Sequence, residues 1–467
     1  MRGSLSQLLS HIGGARMTAD AAFDSVSTDS RTAGAGALFV ALRGERFDAH
    51  DFLAQVAANG AAAVVAEQLP AGFALPALLV PDTLAALGQI ANSWRARFAI
   101  PLIGVTGSNG KTTVKEMIAA ILAAAYSDDE RLATRGNLNN EIGVPLTLMR
   151  LEPSHRAAVV ELGMNHPGEI ARLAAIAAPT IGLVNNAQRE HQEFMHTVEA
   201  VALENGAVIA SLSRDGVAVY PGDDTYTALW AGLAGQRRSI TFGLTEGCNV
   251  SCTYRTGTGT GAGAFGSELA VTVRATGQME AAFGVRLAAA GEHNVRNALA
   301  AIACSVAAGI GQDAIVRGLE TFAPVSGRLQ RKLASCGATV IDDSYNANPD
   351  SVRAAIDVLA HAAAPRILVL GDMGEVGTQG RQFHEEIAAY AVSRGIDAVL
   401  ATGELARHMG GAGVRHFEQF DELLAALDTT LGSKSDATVL VKGSRFMKME
   451  RVVAHLTGTI NTSKEAH

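Results

Sequence analysis

Short apolar runs recur along the chain at intervals that leave room for one helix between them. In the first part, ALFVAL (residues 37–42), AAAVVA (61–66) and ALLV (77–80) are separated by helix-like stretches at residues 50–59 and 83–97. That spacing predicts a small α/β unit, assigned to residues 1–98. At Ile100 the pattern restarts with IPLIGVT, a Gly-rich GSNGKTT and the amphipathic VKEMIAAILAAA, which reads as strand, turn and helix. AAVVELG (157–163) and TIGLVNN (180–186) lack the alternation of a half-exposed strand, so they predict buried parallel strands, each ending in polar residues. TGTGTGAGAFG (256–266) lies between Thr/Val-rich runs and predicts a loop joining strands of a subsidiary sheet. Residues 99–326 form this central unit. Beyond SGRLQ the alternation resumes through ATVIDD, PDSVRAAIDVLA, RILVLG, DAVLAT and ATVLVKG, which predicts a third, doubly wound Rossmann-like unit over residues 327–467.

Composition agrees with several buried cores. Of 467 residues, 48% are apolar and 18% charged, which excludes a disordered chain. Asp plus Glu (46) exceed Lys plus Arg (38), so a nucleic-acid-coating protein is disfavoured, although a local basic site for an anionic substrate is not. The four cysteines, Cys248, Cys252, Cys304 and Cys336, show neither CxxC spacing nor a nearby run of histidines, and are expected as free thiols. The first residues lack a signal-peptide apolar core and no apolar run approaches the ~20 residues needed to span a bilayer. A cytoplasmic monomer without membrane insertion is the expectation.

The strongest chemical signal is GVTGSNGKTT (104–113), directly after an apolar strand and before a helix. Gly107 and Gly110 let backbone amides of Ser108 and Asn109 approach phosphate oxygens, Lys111 reaches the β/γ-phosphates, and Thr112, followed by Thr113, is placed to ligate Mg²⁺. ATP is the expected occupant. The common P-loop spacing would need glycine at position 105, where Val105 stands, so the strand–turn–helix context carries the assignment. Glu161 ends one apolar run, and His191 follows another. Both would reach the same sheet edge if their strands flank the nucleotide strand. A P-loop kinase, an ATPase or a non-enzymatic nucleotide module would explain GSNGKTT equally well. His384, in RQFHEEI, lacks HExxH spacing and reads as a helix-surface residue.

A chain-long set of motifs narrows the choice. GVTGSNGKTT, GNLNNEIGVPLTL (136–148), AVVELGMNHPGEI (158–170), GEHNVRNALAA (291–301), SGRLQ, DDSYNANPDS (342–351), LGDMGEVG (370–377) and VKGSR (441–445) resemble the successive motifs of the Mur ligases. STDSRTAGAGALFVALRGERFDAHDF (27–52) resembles that family's N-terminal UDP-sugar domain. Within the family, DDSYNANPDS with GNLNNEIGVP and ELGMNHPGEI resembles the branch that joins D-alanyl-D-alanine to UDP-N-acetylmuramoyl-tripeptide. A related branch would carry DNPR in its last domain, a string that does not occur here.

The resemblance implies an acyl-phosphate mechanism using ATP and Mg²⁺. It implies that Lys111 and Thr112 hold phosphates and metal, with Glu161 and His191 completing the metal shell. Asn294 and Asn297 resemble the family's adenine-contacting asparagines; from the residues alone, helix capping is the stronger reading. Arg328, Asp343 and Lys442 would close over nucleotide and acceptor from the third domain, and Ser30 and Arg31 would hold the UDP-sugar. One departure stands out. The family usually carries a carbamoylated lysine about a dozen residues beyond the metal-binding histidine, yet this chain has no lysine between Lys115 and Lys332. Asn205 falls at that position, and the neighbouring Glu204 is the expected substitute for the missing charge at the metal.

Overall fold

The computed structural model describes residues 1–44, 47–190, 192–258, 265–275, 278–411 and 413–459. Three sheets organise them, together with a small pairing of Gly3–Ser4 with Ala22–Phe23. The first sheet orders Arg16–Met17, Ala77–Leu79, Ala63–Ala66, Ala37–Val40 and Ser25–Ser27, parallel apart from the first strand. Its central strands are buried on both faces, as unbroken apolar runs require. Helix Thr83–Arg95, capped by the Asp82 carboxylate on the amides of Leu84 and Ala85, joins this unit to the next. Its Trp94 indole donates to Leu151 O (3.1 Å) and its Asn92 amide to Ala175 O (3.0 Å), so the two units share one core.

Among the described residues the central sheet has nine strands. Leu102–Thr106 lies between Ile181–Val184 and Ala157–Glu161, and all three run parallel. The two apolar runs thus flank the nucleotide strand, and Glu161 and Asn185 emerge on either side of Gly107 at the carboxyl edge. Beyond Val217–Pro221 and Arg238–Gly243, the strands Val250–Thr258, Phe265–Ala275 and Gln278–Leu287 extend the sheet, the last two antiparallel to their neighbours. The stretch expected as a glycine-rich loop is entered by strand from both ends. Strand pairing continues through Thr258↔Phe265, and residues 259–264 lie outside the described residues.

The third sheet orders Gln330–Leu333, Thr339–Asp343, Thr438–Lys442, Arg366–Leu370, Ala398–Thr402 and Val414–Phe417, parallel except for the first strand. Thr438–Lys442 inserts between strands consecutive in sequence, so the strand order switches there, and Asp343 pairs in register with Lys442 at the carboxyl ends. Clefts form at such points. No helix among the described residues is long and apolar enough to cross a membrane.

Candidate active site

The carboxyl edges of the second and third sheets face each other across a cleft of about 930 Å³. At its floor, Gly107 (φ +136°) and Gly110 (φ +80°) turn the chain from strand Leu102–Thr106 into helix Lys111–Ala125. A side chain at Gly110 would adopt a strained backbone and collide with Asn297 and Asn185. Because glycine caps the helix, no capping side chain occupies its first amides, which remain oriented for an anion.

The loop is pinned from the neighbouring strand end. Asn109 N–H donates to Asn186 Oδ1 (2.9 Å), while Asn185 Nδ2 (2.8 Å) and Asn186 Nδ2 (2.9 Å) donate to Asn109 O. Ser108 N–H donates to Asn186 O (3.2 Å) and Gln188 N–H to Ser108 Oγ (2.9 Å). Lys111 Nζ donates to Gly107 O (2.5 Å), Ser108 O (3.1 Å) and Glu190 Oε1 (2.9 Å), curling back over the loop at the border of the cleft. Asn185 and Asn186 were legible only as the polar end of an apolar run; their part in shaping the loop needed the strand order.

Glu161 faces the first helical turn. Its Oε1 accepts from Asn139 Nδ2 (2.9 Å) and Thr112 Oγ1 (3.3 Å), whereas its buried Oε2 has no hydrogen-bond partner among the described residues. A buried carboxylate oxygen beside a hydroxyl and an amide suits a hard cation shared with phosphate oxygens. Among the described residues no three His, Cys, Asp or Glu side chains form a ready-made metal cluster. His191 lies outside the described residues.

Helix Glu292–Ala307 closes one side. Asn294 donates to Ala290 O (2.9 Å), Asn297 Nδ2 donates to Asn294 Oδ1 (3.2 Å), and Asn297 Oδ1 accepts from Asn185 Nδ2 (2.9 Å). Neither asparagine is the N-cap, which is Gly291, so the capping alternative does not hold. They form instead a chain of amides running to the phosphate loop. Beside them His293 lines the cleft, where burial and the Lys442 ammonium push its imidazole down to about 4.

From the third unit, just before its first strand, Arg328 Nη2 donates to Thr112 Oγ1 (3.2 Å), and its guanidinium carbon lies 4.1 Å from the Tyr345 ring centroid. Tyr345 therefore orients this third-domain arginine where it reaches the helix start. Lys442 Nζ donates to Asp343 Oδ2 (2.5 Å) and Asn346 O (2.8 Å), both side chains nearly dry. Burial raises the Asp343 carboxyl above its ordinary range while Lys442 and Arg328 oppose the shift. Both residues border the cleft, and Lys442 shapes it through Asp343.

Two expectations, those for Glu204 and His384, meet a different geometry. Glu204 accepts from Gly168 N–H (2.8 Å) and Ile170 N–H (2.8 Å), so both its oxygens serve the N-terminus of helix Glu169–Ala177 and it does not line the cleft. That arrangement argues against the expected metal role, since its charge already complements a helix dipole. Ser30 and Arg31 stay in the first unit, away from the cleft, with Arg31 in a bidentate pair on Asp29. His384 is fully buried rather than on the helix surface: Nδ1 bonds to Gly380 O (2.6 Å) and Nε2 accepts from Met373 N–H (3.1 Å).

Comparison with known proteins follows the same three-part division. Residues 22–95 match the model for the Mur ligase family catalytic domain, residues 105–305 the Mur ligase middle domain, and residues 327–445 the Mur ligase glutamate ligase domain. The Escherichia coli UDP-N-acetylmuramoyl-tripeptide--D-alanyl-D-alanine ligase is 39% identical over 97% of this chain and 98% of its own. The Bacillus subtilis enzyme of that name is 34% identical over 92% of each. A crystal structure of MurF from Acinetobacter baumannii superposes with a TM-score of 0.90 at 34% identity, covering 98% of this chain and 99% of that one. MurF ligase from Thermotoga maritima in complex with ADP gives 0.83 at 26%, covering 93% and 97%.

Proposed function

The chain belongs to the Mur ligase family, and we propose that it joins D-alanyl-D-alanine to a UDP-N-acetylmuramoyl-tripeptide with conversion of ATP to ADP and phosphate. One observation carries the reading: Lys111, Thr112 and Glu161 of the central unit meet Arg328 of the third unit in one cleft. A carboxylate is a poor electrophile at neutral pH. Phosphoryl transfer from ATP to the tripeptide carboxylate supplies a leaving group, and the dipeptide amine then attacks the acyl carbon and expels phosphate.

The residues divide this work by position. Lys111 and the amides at the start of helix Lys111–Ala125 neutralise charge on the moving phosphoryl group, with Arg328 added from the opposite wall. Glu161 and Thr112, joined by the undescribed His191, would hold Mg²⁺, which when bound offsets phosphate charge and aligns the oxygens. Asn294 and Asn297, which the resemblance assigns to adenine, are proposed to contact the nucleotide base. Ser30 and Arg31 lie in the unit that resembles the family's UDP-sugar domain and are assigned to that end of the acceptor. The acceptor and ATP assigned here are precursors of a cytoplasmic reaction, and the protein is proposed to act there as a monomer.

The test is orthophosphate release measured with each substrate omitted in turn. Release that requires both the UDP-linked tripeptide and D-alanyl-D-alanine is expected. Equal release with neither would make the protein an ATPase and overturn the reading.

A further inference from the structure

Residues 185–190 leave the central sheet and touch both halves of the cleft with adjacent side chains. Glu190 accepts from Lys111 (2.9 Å), while Arg189 turns the other way to Asp350 in the first turn of helix Pro349–Ala360. The Arg189–Asp350 contact is two-pronged, Nη2 to Oδ1 at 2.7 Å and Nε to Oδ2 at 3.2 Å, and the Arg189 amide adds a bond to Oδ2 at 2.8 Å. Its remaining Nη1 donates to Glu386 Oε2 (3.0 Å), and the guanidinium lies 5.2 Å from the Phe383 ring centroid. One central-domain arginine thus grips two helices of the third domain.

A second contact runs in parallel. Asn109, whose backbone is committed to Asn185 and Asn186, directs its side chain across the cleft. Its Nδ2 donates to Asn348 Oδ1 (3.3 Å) and its Oδ1 accepts from Asn348 Nδ2 (2.8 Å). Asn348 is the N-cap of the helix that carries Asp350, its Oδ1 also accepting from Ser351 N–H (2.8 Å). A residue of the phosphate loop and a residue three positions beyond its pinning asparagine therefore hold one helix end in a fixed position. The ion pair is part-buried on both sides, with side-chain exposures of 25% and 23%, so solvent screens it less than a surface pair.

We propose that Arg189 is a positioning residue that clamps helix Pro349–Ala360 over the phosphate loop through Asp350, assisted by the Asn109–Asn348 amide pair, and so shields the activated carboxyl group from water. The proposal rests on the ligase reading. Without the clamp, water oxygen attacks the acyl carbon, the carbon–oxygen bond to phosphate breaks, and the carboxylate is regenerated with phosphate lost. ATP is then consumed without an amide being made.

The decisive quantity is phosphate released per amide formed, measured with the full-length protein and both substrates. Wild type should give a ratio of one. Arg189→Ala and Asp350→Ala should raise it to roughly two or more and lower kcat roughly ten-fold, as expected when closure loosens. The double variant should lose less than the two single losses combined, because both remove the shared Arg189–Asp350 side-chain contact. Arg189→Lys, which keeps the charge and loses the fork, should fall between, and serves if the alanine variant does not fold. A ratio that stays at one in a folded variant, whatever its turnover, overturns the clamp. A wild type that makes no amide at all overturns the ligase reading instead.

Discussion

The side-chain oxygen of Asn205 accepts the amide proton of Gly107 at 2.8 Å, directly beneath the first turn of the phosphate loop. The Asn205 backbone carbonyl also accepts from Thr106 Oγ1 (3.1 Å), so one buried residue fixes the end of the strand and the start of the loop. Where the resemblance expects a modified lysine, Asn205 is a neutral amide that braces backbone. Asn205→Leu, similar in size, should leave the Gly107 amide unpaired, cost ~1–3 kcal/mol in chemical denaturation and raise the KM for ATP. Added bicarbonate should leave activity unchanged, since no carbamate can form there. Stimulation by bicarbonate would refute the argument.

Glu204 gives a paired test. Because its two oxygens accept backbone amides of helix Glu169–Ala177, Glu204→Gln should lower stability by ~1 kcal/mol without altering the Mg²⁺ requirement. Glu161→Gln should do the reverse, raising the Mg²⁺ concentration for half-maximal activity roughly ten-fold. Mg²⁺ titrations of the two variants side by side separate the roles.

Lys111→Ala should reduce turnover by at least ~10²-fold if, as proposed, its charge serves the transferred phosphoryl group. Its ammonium also pairs with Glu190, so a stability loss of ~1–3 kcal/mol should accompany it, still leaving a folded protein. Near-normal turnover by the folded variant would remove Lys111 from the chemistry.

Lys442→Ala should be more damaging to the fold than to any single binding step. It strands Asp343 in a dry environment, at a cost of ~3–5 kcal/mol. Arg328→Ala, whose partners are Thr112 and the Tyr345 ring, should instead lower kcat while leaving binding of the UDP-linked acceptor and the melting temperature close to wild type. Equal thermal shifts in the two variants would contradict the division.

His293 should make stability pH-dependent on the acid side. Its imidazole sits at about 4 in the folded protein against an ordinary 6.5, so the unfolded chain binds the extra proton first. Burial is the main cause, the Lys442 ammonium adds to it, and the Asp357 and Glu292 carboxylates oppose it. Stability is therefore retained above pH ~6.5 and lost as the pH falls toward about 4. His293→Gln should flatten that part of the profile relative to wild type in denaturant midpoints measured between the two values. Parallel profiles would show that His293 is not the group responsible.

The sequence by itself determined whatever depends on neighbours along the chain. Unbroken apolar runs marked the doubly buried strands, GSNGKTT after such a run marked the phosphate loop, and motif order gave the three-part division and the family. Tertiary structure alone decided what depends on strand order and domain approach. Asn185 and Asn186 shape the loop because Ile181–Val184 lies next to Leu102–Thr106, a neighbour 75 or more positions away. Glu204 turned from an expected metal ligand into a helix cap, and His384 from a surface residue into a buried one, because a polar side chain's role is set by which donors and acceptors folding brings within about 3 Å. Arg189 and Asp350 illustrate the limit most sharply. Nothing in REH or NPDS links two charges 161 positions apart, and only the meeting of the second and third sheets makes them partners.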